Sequence, residues 1–494
     1  MSNIFKASLI IGVFFGLNKI LALLRQYLIA KHFGFSAEID AFNVANNMPD
    51  LIFSLFAGGA LAMAFIPVFT EYLDTKGSIL SWKLFSKVTT ILFSITALAS
   101  LAIAIFAPIL VSSQIGIAPG FNTSQQSLVV NLLRINLIAT LIFSISGLIT
   151  ASLQAHRHFL LPAIAPLFYN FGIIIGAVFL SPILGIYGLT YGVVLGALLH
   201  LLIQLPALVR YQFHFSVSID FRDPGVKKVF RLMIPRILTV LLIQVTFLLR
   251  DNFASRLEVG SVTALTYGYF IMQVPETLIG SSIAIALLPT LSSHMSRQKR
   301  EEFARVLTTS IRILVAASII PVVLVFISLG PILKLIFDFS VTQRELLMWT
   351  THAFMAGLLG QILLEVFVRA FYARQVAMMP LLATLIRTVI FIVLGIIFYK
   401  TTGAVGIAAI DSLSVSVEAG ILFIMLLPFI RQKLLVAKTF GKSILGGFAA
   451  LSAGLIILFY LQVPILIQVS IAVLFATGIY LLFVIKEVKL LIKL

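Results

Sequence analysis

The sequence predicts an all-α polytopic membrane protein with about fourteen transmembrane helices, and three observations support this fold class. Of the 494 residues, 60% are hydrophobic and only 11% are charged, whereas soluble proteins carry about 25% charged residues. The mean hydropathy is +1.12. Apolar runs of about 20 residues, the length that spans a bilayer, recur along the whole chain, separated by Gly, Pro and charged residues.

The apolar runs define the elements in order, and each run is long enough to cross the hydrocarbon core. The predicted helices fall near 8–30, 41–69, 84–112, 127–153, 160–181, 187–208, 231–253, 263–292, 306–330, 346–370, 377–399, 403–429, 440–461 and 464–485. Basic residues concentrate in alternate loops, among them Lys76, Lys83, Arg157, Arg210 and Lys227. Because Lys and Arg are enriched in cytoplasmic loops, this asymmetry predicts that both termini are cytoplasmic.

Composition and motifs exclude several classes of function. The chain has no cysteine, so disulfides, thiolate metal sites and Cys nucleophiles are absent. It has no phosphate-binding Gly-x-x-x-x-Gly-Lys-Ser/Thr loop and no His-Glu-x-x-His pattern. The 35 Lys and Arg exceed the 18 Asp and Glu, but they form no dense basic run. We therefore predict that the protein is not an enzyme, holds no metal or cofactor, and has no nucleic-acid partner.

An internal repeat predicts how the chain is organised. Leu24-Arg25-Gln26 resembles Leu249-Arg250-Asp251, and AHRHFLLPAIAP (155–166) resembles YARQVAMMPLLA (372–383). Both copies follow an even number of predicted helices, so the repeat is parallel. This predicts an N-terminal six-helix lobe at 1–210, a basic cytoplasmic linker at 211–230, a C-terminal six-helix lobe at 231–432, and a C-terminal helix hairpin with a basic tail at 433–494. Repeated lobes are typical of transporters, although a duplication without transport would leave the same pattern.

Ionisable groups inside a membrane are costly and mark functional sites, and the first two helices of the N-terminal lobe carry a group of them. The candidate binding residues of these helices are Asn18, Lys19, Arg25, Gln26, Asp40, Asn43, Asn47 and Asp50. Asn18, Lys19, Arg25 and Gln26 share an arc of roughly 120° on the first helix. Two readings are compatible: the stripes line a hydrated cavity, or Lys19 and Arg25 pair with Asp40 and Asp50 and hold the helices together.

The C-terminal lobe carries fewer such groups. Gln273 lies on the polar face of the eighth predicted helix, and Glu365 lies four residues before Arg369, a spacing that favours a local ion pair. Asp411 and Glu418 share a face of the twelfth helix. Carboxylates beside hydroxyls either bind Na⁺ or a proton as a coupling ion or form hydrogen bonds within the lobe.

The segment LLRQYLIAKHFGFSAEIDAFNVANNMPDLIFSLFAGGALAMAFIPVFTEY (23–72) resembles the start of MurJ/MviN-type lipid II flippases, as do 151–170, 274–292 and FYARQ (371–375). The resemblance implies a monomeric flippase of the bacterial cell membrane. It would move undecaprenyl-pyrophosphate-linked peptidoglycan precursor, lipid II, from the inner to the outer leaflet by alternating access. Because the sequence has no nucleotide-binding loop, we expect the movement to be driven by membrane potential or an ion gradient. Cavity cations would bind the pyrophosphate, and the last two helices would hold the lipid tail. The alternatives are a flippase for another polyprenyl-pyrophosphate glycan and a cation-coupled multidrug antiporter.

The resemblance carries over only in part. Arg25, Asp40 and Pro49 match the family pattern, whereas Lys19 stands where the family usually has Arg. Two further cavity arginines of the family fall at Phe53 and Phe270, and acids of the family fall at Gly58 and Gln273. If the function is retained, Lys19 and Arg25 therefore carry more of the substrate binding.

Overall fold

The structure is a computed structural model that describes residues 3–57, 59–376, 378–430 and 433–491. These residues form helices and connecting segments, with no strand among them. The helices are α1 (Asn3–Phe33), α2 (Ala37–Ala45), α3 (Asn47–Ile52), α4 (Gly59–Ser112), α5 (Thr123–Ala155), α6 (Leu160–Ile175), α7 (Ser181–Leu184), α8 (Ile186–Leu202), α9 (Leu205–Val209), α10 (Pro224–Ala254), α11 (Ser261–Pro275), α12 (Ser282–Ser296), α13 (Arg300–Ile336), α14 (Val341–Ala356), α15 (Leu358–Ala373), α16 (Met378–Leu426), α17 (Lys433–Tyr460) and α18 (Ile465–Leu491). Shorter turns are the π-helical Phe53–Ala57, Gly176–Leu180 and Glu276–Ser281, and the 3₁₀ turn Leu427–Phe429.

All fourteen predicted helices lie on helical segments, which confirms the all-α membrane fold. Ten segments of the described residues are long and apolar enough to cross a membrane. Two of these, Ala64–Ser112 and Met378–Phe429, each contain two helices, because the chain turns at Gly77 (φ 79°) and Gly403 (φ 61°). Glycine adopts positive φ without a Cβ clash, and other residues rarely do.

Several predicted boundaries differ from the structure. The second predicted helix is divided into α2, α3 and a π-helical turn, since the break falls at Asn46, just before Pro49, whose ring cannot continue a regular helix. The last residues of the predicted linker are already helical because α10 begins at Pro224, capped by Asp223. Gly58 and the tail residue Lys493 lie outside the described residues.

The helices group into two compact units, Met1–Gly260 and Ser261–Leu494. In the first unit α10 packs on α3 and α4, although the repeat relates α10 to the start of the second lobe. The lobe boundaries at 210, 230 and 432 are read from the repeat and stay a prediction.

Small residues allow close helix packing in the first unit. Glycines of α6 and the following π-helical turn face glycines of α8, and a Cβ added at Gly176 would lie 2.6 Å from the Cα of Gly192. Such small-xxx-small pairing is a main source of helix association in membranes, because apolar burial drives little there. The contact places the polar side chains of α6, Tyr169 and Asn170, beside α1 and α8.

In the second unit the hairpin α17–α18 packs on α13. Its core consists of small and branched side chains around one tyrosine: Ala316, Val323, Ile327, Ala450, Ala472, Ala476, Tyr480 and Val484. The Tyr480 hydroxyl donates to the Ala316 carbonyl at 2.6 Å, which ties α18 to α13.

Candidate functional site

The most informative polar contact of the first unit joins α1 to α6. Arg25 Nη1 donates to Asn170 Oδ1 at 2.9 Å, and Asn170 Nδ2 donates to Asn18 Oδ1 at 2.8 Å. Asn18 and Arg25 are seven residues apart, two helical turns, so they share the face of α1 that meets α6. Asn170 was not among the residues singled out from the sequence. Its signal was a lone amide four residues after Pro166 in an otherwise apolar helix.

Neutral amides, and not a carboxylate, hold Arg25. Within the described part of the chain Arg25 forms no ion pair, and its Nε is buried without a hydrogen-bond partner. Asp50 and the Tyr169 hydroxyl lie within electrostatic range of the guanidinium. An amide donates or accepts hydrogen bonds but carries no charge, so the amide shell positions this cation without neutralising it.

A cavity of about 330 Å³ opens inside the first unit. Its lining combines amides, hydroxyls and aromatic rings: Asn46, Pro49, Asp50, Phe53, Asn136, Ala139, Thr140, Phe143, Pro166, Tyr169, Val193 and His200. Asp50 is exposed to this space, and Phe53 packs edge-on against Phe143 at a ring-centroid distance of 5.2 Å. The phenylalanine that stands at the position of a family arginine therefore belongs to an aromatic wall.

Two other predicted site residues contact α10 or the loop that follows it. Asp40 is 1% exposed, and its Oδ2 accepts the Gly260 N–H at 2.6 Å. Asn47 Nδ2 donates to Asp251 Oδ2 at 2.9 Å, and Arg250 Nε donates to Asp251 Oδ1 at 3.0 Å. Asn47 thus joins α3 to the repeated Leu-Arg-Asp segment, and Asp40 joins α2 to the loop between α10 and α11.

The remaining candidates of the first two helices are partly buried. Asn43 is half-buried, and its Nδ2 has no hydrogen-bond partner among the described residues. Lys19 and Gln26 are half-buried on α1. The structure thus brings Asn18 and Arg25 into one network with Asn170 and places Asp50 on the cavity, while Asp40 and Asn47 serve a different contact.

In the second unit the two candidate coupling carboxylates share one arginine. Arg387 Nη2 lies 3.3 Å from Asp411 Oδ1, and Arg387 Nη1 lies 3.4 Å from Glu418 Oε2. Thr384 Oγ1 donates to Glu418 Oε1 at 2.6 Å. All four side chains are buried, so the cluster holds two negative charges and one positive charge when fully ionised.

The other predicted contacts of the second unit are local. Glu365 and Arg369 form the predicted ion pair, which is thereby confirmed. Gln273 is half-buried on α11, and its backbone carbonyl accepts the Thr277 hydroxyl at 2.8 Å. Among the described residues, no group of three or more His, Asp or Glu is arranged to hold a metal ion.

The fold and these intramembrane polar clusters define a multi-pass membrane transporter, and solved structures show the same fold. A structure titled lipid II flippase MurJ, inward closed conformation, matches with a TM-score of 0.82 at 21% identity, over 98% of this chain and 100% of that one. An inward-facing multidrug resistance transporter of the MATE family matches with a TM-score of 0.71 at 14% identity, over 85% and 95%.

The chain belongs to the MurJ lipid II flippase family, whose family model matches residues 29–485. A lipid II flippase MurJ of Burkholderia cenocepacia is 29% identical over 76% of this chain and 74% of its own. A probable lipid II flippase MurJ of Vibrio cholerae is 29% identical over 85% and 82%. Family membership and the apolar helices make this a multi-pass protein of the bacterial inner membrane.

Proposed function

We propose that this chain is a lipid II flippase that moves the precursor from the inner to the outer leaflet by alternating access, working as a monomer. Family membership supports this activity. Within the chain, the supporting observation is Arg25, an intramembrane guanidinium held by amides and left without an ion pair among the described residues.

Such a cation suits a pyrophosphate. Guanidinium donates parallel hydrogen bonds to phosphate oxygens, and charge-assisted bonds of this kind are roughly twice as strong as neutral ones. Asn170 orients the group through Nη1, and Nε has no hydrogen-bond partner among the described residues. Asn18 and Asn170 thus position the cation, and Lys19, about one and a half turns earlier on α1, adds a second positive charge. Gln26, Asp40, Asn43, Asn47 and Asp50 complete the proposed binding residues of the first unit, and Gln273 is the proposed binding residue of the second.

The test is complementation of a bacterium depleted of its own lipid II flippase, paired with a fluorescent lipid II flipping assay in vesicles. We expect Arg25→Ala to abolish rescue and flipping at normal membrane abundance, and Arg25→Lys to retain part of the activity because the charge remains without the planar fork. Arg134→Ala is the matched control, since Arg134 is exposed on α5 and only contacts the Ala104 carbonyl.

A purely structural Arg25 would behave differently. In that case Arg25→Ala would lower abundance and flipping in equal proportion, and the proposal for this residue would be abandoned. Failure of the unmodified chain to rescue growth, at normal abundance, would overturn the lipid II assignment itself and favour another polyprenyl-pyrophosphate glycan or a drug antiporter.

We further propose that Asp411 and Glu418 couple transport to Na⁺ or a proton. Two carboxylates around a single guanidinium leave one uncompensated negative charge in a buried site, and burying such a charge is costly. A proton or Na⁺ would neutralise it, and Thr384 offers a further oxygen ligand. The membrane potential would add to this drive, at about 2.3 kcal/mol per elementary charge per 100 mV.

Asp411→Asn and Glu418→Gln should therefore lower the rate of flipping and remove its dependence on an imposed Na⁺ or pH gradient. Glu365→Gln is the matched control, because Glu365 pairs with Arg369 within one helix. Flipping that keeps its full gradient dependence in both variants would refute the coupling role. A rate that stays the same in depolarised vesicles would refute the contribution of the potential.

A further inference from the structure

The segment that joins α9 to α10 carries a surface that transport does not use. Residues 213–220 form no regular helix and run beside the part of the long membrane helix α4 that follows the turn at Gly77, within the first unit. We propose that this segment inserts its apolar side chains into the boundary between headgroups and acyl chains of an anionic lipid leaflet, so that the linker is a membrane anchor.

Hydrogen bonds fasten the segment to α4 at successive turns. The three contacts are Trp82 Nε1 to the Tyr211 carbonyl (2.8 Å), Ser216 N–H to Ser86 Oγ (3.2 Å) and Ser218 N–H to Thr90 Oγ1 (3.5 Å). The positions on α4 are four residues apart, so the linker follows the helix axis. Side-chain hydroxyls of α4 thus satisfy backbone groups of a segment that lacks a ladder of its own.

Lys87 of α4 binds the C-terminal end of the segment. Lys87 Nζ donates to Asp220 at 2.9 Å and to Asp223 at 2.8 Å. Asp223 also caps α10, since its Oδ1 accepts the Gly225 N–H at 2.8 Å. The segment therefore runs along α4 and leads directly into α10. Its first end is bound at Trp82 and its second end at Lys87.

Apolar and polar residues alternate along the segment, and this pattern shows which of its faces is uncovered. Phe213 packs against Trp82 and Phe85 of α4. From residue 215 onward the odd-numbered residues are apolar and exposed: Phe215 (48%), Val217 (80%), Ile219 (60%) and Phe221 (58%). The even-numbered residues are polar: Ser216 and Ser218 bind α4 through their backbone N–H groups, and Asp220 binds Lys87 through its carboxylate. Because successive side chains of an extended chain point to opposite faces, one face of the segment carries polar side chains, and the other carries apolar side chains that are uncovered.

The position of the segment along α4, relative to the start of the predicted membrane span, indicates what covers the apolar side chains. Thr90 lies six residues beyond the predicted start of the third span at residue 84, or about 9 Å along the helix. Interfacial segments bury their apolar face about 5–10 Å into the headgroup and acyl boundary. Non-helical backbone is not tolerated against lipid deeper in the hydrocarbon, which places the segment at the boundary.

Charge complements this position. Lys83, Arg222, Lys227 and Arg231 are exposed around the segment, and basic residues at a membrane surface attract anionic headgroups. Apolar side chains flanked by exposed cations suit an anionic leaflet better than water. Because the segment lies against α4, a membrane helix, that leaflet is next to these side chains.

The absence of cysteine allows single labels in the full chain. Val217→Cys and Ile219→Cys would carry an environment-sensitive fluorophore in vesicles of phosphatidylcholine and phosphatidylglycerol, with a nitroxide on the acyl chains as quencher. We expect a blue-shifted emission and strong quenching at both positions, and weaker quenching at Ser216→Cys and Ser218→Cys. Asp74→Cys, exposed in the first half of α4, is the control and should be quenched by aqueous iodide alone.

The alternation is the critical result, because non-specific adsorption would quench neighbouring positions equally. Iodide quenching at Val217→Cys and Ile219→Cys as strong as at Asp74→Cys would overturn the proposal. Labels that are shielded in native membranes but water-exposed in the vesicles would also overturn it, in favour of a protein partner. Circular dichroism and gel filtration of each labelled variant establish that the comparison is made on folded protein.

Discussion

Arg312 on α13 binds both helices of the C-terminal hairpin, and its replacement should loosen that hairpin. Arg312 Nη2 donates to Glu487 Oε1 of α18 at 3.0 Å, and its Nε donates to Thr439 Oγ1 of α17 at 3.2 Å. Thr439 in turn donates to Glu487 Oε1 at 2.9 Å. These three side chains form a closed triangle between three helices.

The burial of the ion pair between Arg312 and Glu487 sets the expected loss of unfolding free energy. The side chains of Arg312 and Glu487 are 17% and 6% exposed, so the pair resembles a buried salt bridge more than a surface one. Removing one partner of a buried pair costs roughly 3–5 kcal/mol, because the other charge is left uncompensated. The partial exposure of Arg312 puts Arg312→Met at the lower end, at about 3 kcal/mol of unfolding free energy. Replacing both partners by Met should cost much less, since no buried charge remains.

The assay is a double-mutant cycle by reversible unfolding in mixed detergent micelles, followed by circular dichroism. We expect a coupling free energy of roughly 2–3 kcal/mol between Arg312 and Glu487. Tyr480→Phe is the control, because it removes neutral hydrogen bonds of a hydroxyl, among them the one to the Ala316 carbonyl, and each such bond is worth about 1 kcal/mol. A double variant that is destabilised by the sum of the two single effects would refute the reasoning.

Three further results are expected. Thr123→Cys should react with an impermeant maleimide from outside the cell and Asp74→Cys should not, because the basic loops predict cytoplasmic termini; the reverse labelling would contradict that orientation. Lys19→Arg should keep flipping activity in vesicles, since it restores the residue usual in the family, and a large loss would show that the cavity is adapted to lysine. Burial raises the pKa of Asp223, but hydrogen bonds from Lys87 and from two backbone N–H groups outweigh it and hold that pKa below its ordinary value. A carboxyl with a lowered pKa stabilises the folded state above its unfolded value of about 3.9 and loses this contribution as the pH falls through the lower folded value. A spin label at Ile219→Cys should therefore stay immobile at neutral and mildly acidic pH and become mobile only in strong acid; release near pH 6 would contradict this.

The sequence by itself determined the membrane fold and the approximate positions of the helices. Transfer of an apolar run into a bilayer depends on the run's own composition and length, so it is local information. The shared face of Asn18 and Arg25 was predictable for the same reason, because helical periodicity alone places residues seven apart on one side. The ion pair between Glu365 and Arg369 followed from their spacing.

The tertiary structure alone decided the partners of these residues. Asn170 reaches Arg25 across 145 positions only because glycines bring α6 against α8 and α1 packs on α6. Arg387 meets Asp411 and Glu418 because the turn at Gly403 folds the two halves of α16 back on each other. The linker lies along α4 through Ser86, Thr90 and Lys87. Helix packing in a membrane depends on side-chain shape and hydrogen bonds between distant segments, and hydropathy, which is summed along one helix at a time, contains none of that information.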